Sequence, residues 1–466
     1  MRTNTLRLAA VAALVSACLL AGCAPHTRVL CEPLELTYGG DPSAAVTAMD
    51  GTKLAGSDRD RFLYHAQRGQ LLHMAGEYEA SNRELETAVS VSKELEPWSV
   101  SETLLDYTLN EAMKDYAGED YERAYLHYYM ALNYLEMDDL EGALVECRRL
   151  DEVFRELDAR YEDDGRYQDD GFIRYLSGLI REAMGDLDGA RVDFRLAARA
   201  YGGEWGGLTG VPAPPGLETS LERLEENRVP QDGAEIVVVI DSGWAPYKVE
   251  ESVQVPIHRA LVPEELRGRT NLAALVKIAY PVFISPPGAG VPFRAGIADS
   301  SGGPGTMVSA EKAQDLDGLA RQVLERRKPA LVLRSTLRAT AKQVALARAK
   351  HEREEERDKD SDKRPFACIE KEDGGGWKAI FGGLFENMAT QGVAETEQAA
   401  TRSWVKLPAE LWIARSPVEP GEHEVVVRAL DGSGLISLGS VSVSPGERVF
   451  RSARFFGGPH PVRCGD

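Results

Sequence analysis

Few residues in this chain have a type and spacing that prescribe a reaction, and the clearest is a cysteine. Leu20-Ala21-Gly22-Cys23 follows Arg2, Arg7 and an apolar run from Leu8 to Leu20. A positive start, a short apolar stretch and small residues before a cut site are the pattern of an export signal, and the run is too short to span a bilayer comfortably. A cysteine at that place offers a thiol for acylation, with the chain cut just ahead of it. The other reading is an ordinary secretory signal cut after an Ala-x-Ala-like site, with Cys23 a plain thiol.

The four residues resemble a bacterial lipobox, which makes Cys23 the first residue of the mature protein. Ala24 at the next position implies sorting to the outer membrane, facing the periplasm. Each buried methylene is worth about 0.8 kcal/mol, so several acyl chains together hold a protein stably where one is marginal. No later run of about 18 uninterrupted apolar residues offers a second membrane segment. Residues 23–57 mix Pro, Gly, Asp and Thr with little periodicity and read as a lipidated tether.

Other chemistry is sparse. Besides Cys18 in the signal and Cys23, the chain holds Cys31, Cys147, Cys368 and Cys464. Four thiols in an oxidising compartment have three possible pairings, and the polar, loop-like settings of Cys368 and Cys464 favour that pair. Cys147 lies on an apolar helix face and reads as a buried free thiol. The eight histidines lack metal-ligand spacing, so no metal and no cofactor is expected. Glu162-Asp163-Asp164-Gly165 and Asp169-Asp170 lack the ligand order of a calcium loop. Nucleophile-elbow, zincin and phosphate-loop motifs are missing. Two carboxylates brought together by the fold leave no sequence signature, so a glycan-acting enzyme stays open as the alternative to a non-enzymatic protein.

The full chain has 466 residues and a formal charge of −20; loss of residues 1–22 removes two arginines and no acid, leaving 444 residues at −22. That balance argues against nucleic acid and against broad docking on anionic lipid, and leaves proteins, cationic surfaces or nothing in particular as partners.

The elements that must carry these residues change character near residue 230, so the expected domains are residues 58–230 and 231–466. In the first, Gly69, Gly76, Tyr78, Ala80, Leu85 and Ala88 resemble the helix-turn-helix unit of tetratricopeptide repeats. Tyr121, Ala124, Tyr128 and Ala131 form a second copy; Gly178, Gly185, Leu187, Ala190, Phe194 and Ala197 form a third. Small residues allow close helix approach while a large one fills the groove between. A plain helical bundle is the alternative. Such arrays present a groove for proteins, here envelope proteins, and Tyr125, Tyr129 and Tyr134 are the candidate binding rim because the tyrosines do not share one helical stripe. The competing view places some of them in the core and across neighbouring helices.

The second half reads as a small antiparallel β-sandwich, from strand runs at 235–240, 249–257, 275–284 (interrupted by Pro281), 410–414, 424–429, 439–444 and 449–455 with Pro-Gly turns. A helical-hairpin insertion at about 311–400 begins with Ala313 to Arg327, breaks at Pro329 and resumes to about Lys350. Trp377, Ile380, Phe381, Leu384, Phe385 and Met388 then form one apolar face, either core or a contact surface. The expected fold class is therefore α+β multidomain.

Together with Tyr280-Pro281-Val282-Phe283, Thr401-Arg402-Ser403-Trp404, Leu407-Pro408 and Pro420-Gly421-Glu422-His423, these features resemble a family of tetratricopeptide-containing bacterial outer-membrane lipoproteins. Its genes often lie near lipoprotein activators of penicillin-binding proteins. The resemblance implies a non-enzymatic interaction scaffold in the cell envelope, linked to peptidoglycan or envelope assembly.

Overall fold

The computed structural model describes residues 28–95, 114–161, 170–226, 233–256, 275–299, 302–361, 399–432 and 434–459. The chain is a mixture of helix and sheet. Helices α1 (Cys31–Tyr38), α2 (Pro42–Asp50), α3 (Arg61–Met74), α4 (Tyr78–Glu94), α5 (Asp120–Glu136), α6 (Leu140–Tyr161), α7 (Gly171–Ala183), α8 (Leu187–Gly202), α9 (Glu204–Thr209) and α10 (Pro215–Glu225) come first. Strands β1 (Ala234–Ser242), β2 (Tyr247–Pro256), β3 (Leu275–Ile284), β4 (Phe293–Ala298), β5 (Pro304–Ser309) and β6 (Glu311–Asp315) follow. After helix α11 (Leu316–Ser361) come β7 (Glu410–Val418), β8 (Gly421–Ala429), β9 (Leu435–Val443) and β10 (Arg448–Phe455).

From α3 to α8 the helices pack as successive neighbours: α3 on α4, α5 on α6 and α7 on α8, with α4 against α5 and α6 against α7 joining the pairs. Two pairs close around a glycine. A Cβ on Gly69 would lie 2.7 Å from the Leu85 side chain, and one on Gly178 would run into the Phe194 ring. Glycine is what lets these backbones approach, as the spacing predicts.

Tether is the wrong description for most of residues 23–57. From residue 28 on, α1 and α2 pack Leu30, Leu34, Ala45 and Met49 against Leu71, Trp244 and Val405. The sequence did carry a signal for α2: Asp41 caps it by accepting from Ala44 N at 2.9 Å, and Pro42 opens its first turn. Cys23 lies outside the described residues.

The strands form two four-stranded sheets, β10-β1-β7-β6 and β5-β4-β8-β9, and a two-stranded ladder β2-β3. The pairing is not wholly antiparallel as expected, since β1 runs parallel to β10, with Val239 opposite Ser452. Ile236, Val238 and Ile240 of β1 face Phe293, Val425, Val427 and Val441 of the second sheet. Val237 and Val239, on the other face, join the helical core with Phe450, Leu411 and Ile413. A strand buried on both faces reads as a continuous apolar run, which is what Ile236 to Ile240 shows. One apolar cluster therefore runs from Phe62 through the helices to Phe450, and residue 230 marks a change of secondary structure without a break in packing.

Two proline readings are corrected. β3 continues through Pro281, which pairs with Glu250; a two-stranded ladder leaves one edge of β3 open, where a missing N–H is tolerated. Within the described residues α11 runs unbroken through Pro329 and makes no hairpin. It is held on both sides of that proline, by Arg327 to Glu119 at 2.6 Å and by Ser335 to Ala279 O at 3.4 Å. Ala313 belongs to β6 and not to the helix. The 377–388 face lies outside the described residues.

Candidate functional site

The densest chemistry is a buried polar seam where the inner helices α3, α5 and α7 meet the first sheet and the segment before β7. On α5, adjacent residues Tyr128 and Tyr129 donate to Asp241 of β1, at 2.6 Å to Oδ1 and 2.7 Å to Oδ2. Gln70 on α3 donates through Nε2 to Tyr129 Oη at 2.6 Å and to Lys406 O at 2.8 Å, while its Oε1 accepts from Trp404 Nε1 at 2.7 Å. Arg454 of β10 donates to the carbonyls of Asp241 and Lys406 and stacks 4.3 Å from the Phe456 ring centre. Burial pushes the Asp241 carboxyl up, opposed first by the charge of Arg454 and then by the two tyrosines.

Three fully buried groups in or beside this seam are moved toward neutrality. Burial alone lowers the Lys406 ammonium to about 7; its side chain, 0 % exposed, donates to Gln67 Oε1 at 3.3 Å. Burial raises Glu122 to about 7 against the pull of nearby Lys248. Its oxygens accept from Trp404 N at 2.7 Å, Tyr116 Oη at 2.8 Å and Glu119 N at 3.0 Å. Asp170, also raised by burial to about 7, caps α7 through Ile173 N at 3.0 Å and accepts from Gln314 Nε2 of β6 at 2.9 Å. Perturbed groups of this kind often mark active sites, yet each here is buried and ties a helix to the second half of the chain, Asp170 to β6 and Glu122 and Lys406 through the segment before β7. Between them they can hold or release protons as the interface forms.

Tyr125 and Tyr129 do not form an exposed rim. Both are completely buried, and Tyr134 is partly buried with its ring over Gly142. The one-stripe argument failed because α5 is enclosed by helices on one side and by the sheet on the other, so several of its stripes are interior. What the sequence reading missed is the pairing of Tyr128 and Tyr129 with a strand aspartate 113 and 112 residues away. The signal for it was a charged residue, Asp241, directly after the apolar run Ile236 to Ile240 of β1.

Cys147 is free and buried, and burial pushes its thiol up to about 12, as an inert core residue requires. Cys368 and Cys464 lie outside the described residues, whereas Cys31 is disulfide-bonded. Among the described residues no group of three or more His, Cys, Asp or Glu is arranged to hold a metal, and no helix is long and apolar enough to cross a membrane.

Two surface hollows are found among the described residues. One, of about 240 Å³, has Glu182, Arg223, Glu235, Arg415 and Arg448 in its wall, with every arginine already paired to a glutamate. The other is an open groove of about 920 Å³ along α1 and α2, lined by Val29, Pro33, Leu36, Ala44 and Ala48. Compared with protein-family models and with curated proteins, the chain matches none.

Proposed function

We propose that this protein is a non-enzymatic scaffold, lipid-anchored through Cys23 to the outer membrane on its periplasmic side, and that it engages other envelope proteins. The three helix pairs are read as tetratricopeptide-like units and the two facing sheets as a sandwich. What supports the first is the glycine-mediated closure of α3 on α4 and of α7 on α8; what supports the second is the shared apolar layer between β1 and β8.

The observation that carries the reading is the sealing of the inner helix face. Tyr128, Tyr129, Gln70 and Glu122 each make a hydrogen bond to the chain's own second half. Groups that could act on a substrate are thereby enclosed, and the face that arrays of this kind offer to a peptide is filled internally. A protein partner then meets the outer helices, where Val145 on α6 and Val192 on α8 are 42 % and 55 % exposed. A link to peptidoglycan or envelope assembly is part of the proposal and rests on the sequence resemblance.

Two measurements test it on the full chain in cells. Cys23→Ala should move the protein from outer membrane to the soluble fraction after a high-salt wash; a variant that still pellets removes the anchor. Photo-crosslinking residues placed at Val145 and at Val192 should capture envelope proteins. Adducts confined to a control position on the second sheet, such as Leu435, would move the contact surface away from the helices.

A further inference from the structure

The hollow of about 240 Å³ lies where the ends of α7 and α10 and the start of α8 meet β1, β7 and the turn before β10. Two carboxylates in its wall already hold the arginines. Glu182 accepts from Arg223 through Oε1 and from Arg448 Nη1 through Oε2 at 3.0 Å. Glu235 accepts from Arg415 Nε at 2.8 Å through Oε1, and from Arg448 Nε at 2.6 Å and Arg415 Nη2 at 3.2 Å through Oε2. Burial pushes the Glu235 carboxyl up, but the charges of Arg415 and then Arg448 more than reverse this, so it stays ionised. Three guanidiniums thus face two carboxylates whose side chains are only 6 % and 14 % exposed, an excess of one positive charge that only the exposed Glu447 offsets.

The pairing leaves donors over, because a guanidinium carries five N–H groups. Arg223 is bonded through Nη2, and its Nε and Nη1 have no acceptor among the described residues. Arg448 is bonded through Nε and Nη1, and its Nη2 likewise has none. Both side chains grip the same Glu182 carboxylate, so the two guanidiniums stand as far apart as one carboxylate bridges. We propose that the hollow binds a second, incoming carboxylate, from a free small acid or from the C-terminal end of a peptide, between the unoccupied N–H groups of Arg223 and Arg448.

Size and charge narrow the ligand. Pockets that enclose a whole ligand run to about 300–1,000 Å³, so this smaller space takes an amino-acid-sized acid or the last residue of a chain. Ala183, Leu187 and Pro417 supply the apolar part of the wall, against which a short aliphatic side chain packs. A single negative charge matches the single excess positive one, whereas a dianion such as phosphate leaves a charge unmatched beside Glu182 and Glu235. In a chain with a formal charge of −20, this is a local reversal of sign. Binding here depends neither on the lipid anchor nor on a partner at the outer helices.

Isothermal titration of the full-length protein with N-acetylglycine, N-acetylglycinamide, tetraglycine acid, tetraglycine amide and inorganic phosphate reads the site. Both acids should saturate it, with the amides weaker by about tenfold or more, as loss of a charge-assisted hydrogen bond implies. Tetraglycine acid binding tighter than N-acetylglycine assigns the ligand to a peptide end, and equal affinity assigns it to a free acid. Amides that match their acids, phosphate that binds tighter than both acids, or no saturable binding overturns the proposal. Arg223→Lys keeps the charge and one bond to Glu182 but loses the fork, so acid binding should fall about tenfold while the melting temperature holds; unchanged affinity sinks the assignment. Should that variant fail to accumulate, Glu447→Gln decides. Its amide oxygen can still accept from Ser444 N, as the carboxylate does at 2.6 Å, and loss of the exposed negative charge should tighten acid binding by about two- to fivefold. A purely structural ion-pair network predicts no change in that variant, and that result would also overturn the site.

Discussion

The Asp241 carboxylate on β1 accepts a 2.6 Å hydrogen bond from the Tyr128 hydroxyl on α5, across 113 residues of sequence and the full change from helical to strand-forming chain. Both groups are buried. A polar contact of this kind is weak evidence of net stability, since two polar groups must leave water for it. It is strong evidence of mutual dependence, because neither half can bury its member of the pair alone without leaving it unsatisfied.

Tyr128→Phe is expected to cost about 1–2 kcal/mol, and Asp241→Ala about 3–5 kcal/mol because it leaves two buried hydroxyls without their acceptor and removes the negative charge nearest Arg454. In urea unfolding followed by both far-ultraviolet dichroism and tryptophan fluorescence, the two probes should move together in each variant. Separate helical and strand transitions would show that the halves fold independently.

Lys406 is buried, and burial lowers its pKa from the ordinary lysine value of 10.5 to about 7. Between those values the unfolded chain binds a proton that the folded chain does not, so this group makes stability rise with pH from about 7 to 10.5. Lys406→Met, of similar shape, should raise the melting temperature at pH 7, and the gain over the parent should vanish above pH 10.5. A gain that is equal at pH 7 and pH 11 would mean that the ammonium is not desolvated as placed.

Glu122 has the opposite sign. Its pKa rises from 4.5 to about 7, so the folded chain holds a proton that the unfolded chain has lost, and stability from this group is full below 4.5 and declines as pH climbs to about 7. The difference in melting temperature between the parent and Glu122→Gln should therefore change across pH 4.5–7 and be flat above it. A flat difference throughout the interval would rule out the raised pKa.

Gly69 and Gly178 should be intolerant of alanine. The added methyl group meets Leu85 in one case and Phe194 in the other, and overpacking of this sort costs about 1–3 kcal/mol. Equilibrium unfolding of Gly69→Ala and Gly178→Ala, each combined with a compensating Leu85→Ala or Phe194→Leu, checks the cause. Partial recovery in the paired variant is expected; additive losses would place the defect elsewhere.

Glu119 receives Lys248, almost wholly buried, and also Arg327 from α11. Its pKa is held down to about 2 chiefly because these cations outweigh the opposing effect of burial. Glu119→Gln leaves the Lys248 ammonium buried without its counter-charge and should cost about 3–5 kcal/mol. Hydrogen exchange should rise in α11 near Arg327 before it rises in α7; unchanged protection there would detach α11 from this pair.

Periodicity and small-residue spacing were enough to locate the helix pairs and most strands, because both depend on which side of one local element is apolar. Gly69 and Gly178 are legible for that reason, as is the doubly buried run Ile236 to Ile240. Tertiary structure alone decided the rest. Tyr125 and Tyr129 are interior because α5 is covered from two sides by segments remote in sequence. Helices α1 and α2 exist as packed elements because Trp244 and Val405 supply the apolar surface that their short stretches cannot bury alone. The parallel pairing of β1 with β10 and the passage of α11 through Pro329 likewise follow from neighbours. Local pattern specifies what surface an element has; which distant surface covers it is settled only when the whole chain closes, and the burial of Asp241, Glu122 and Lys406 is a property of that closure.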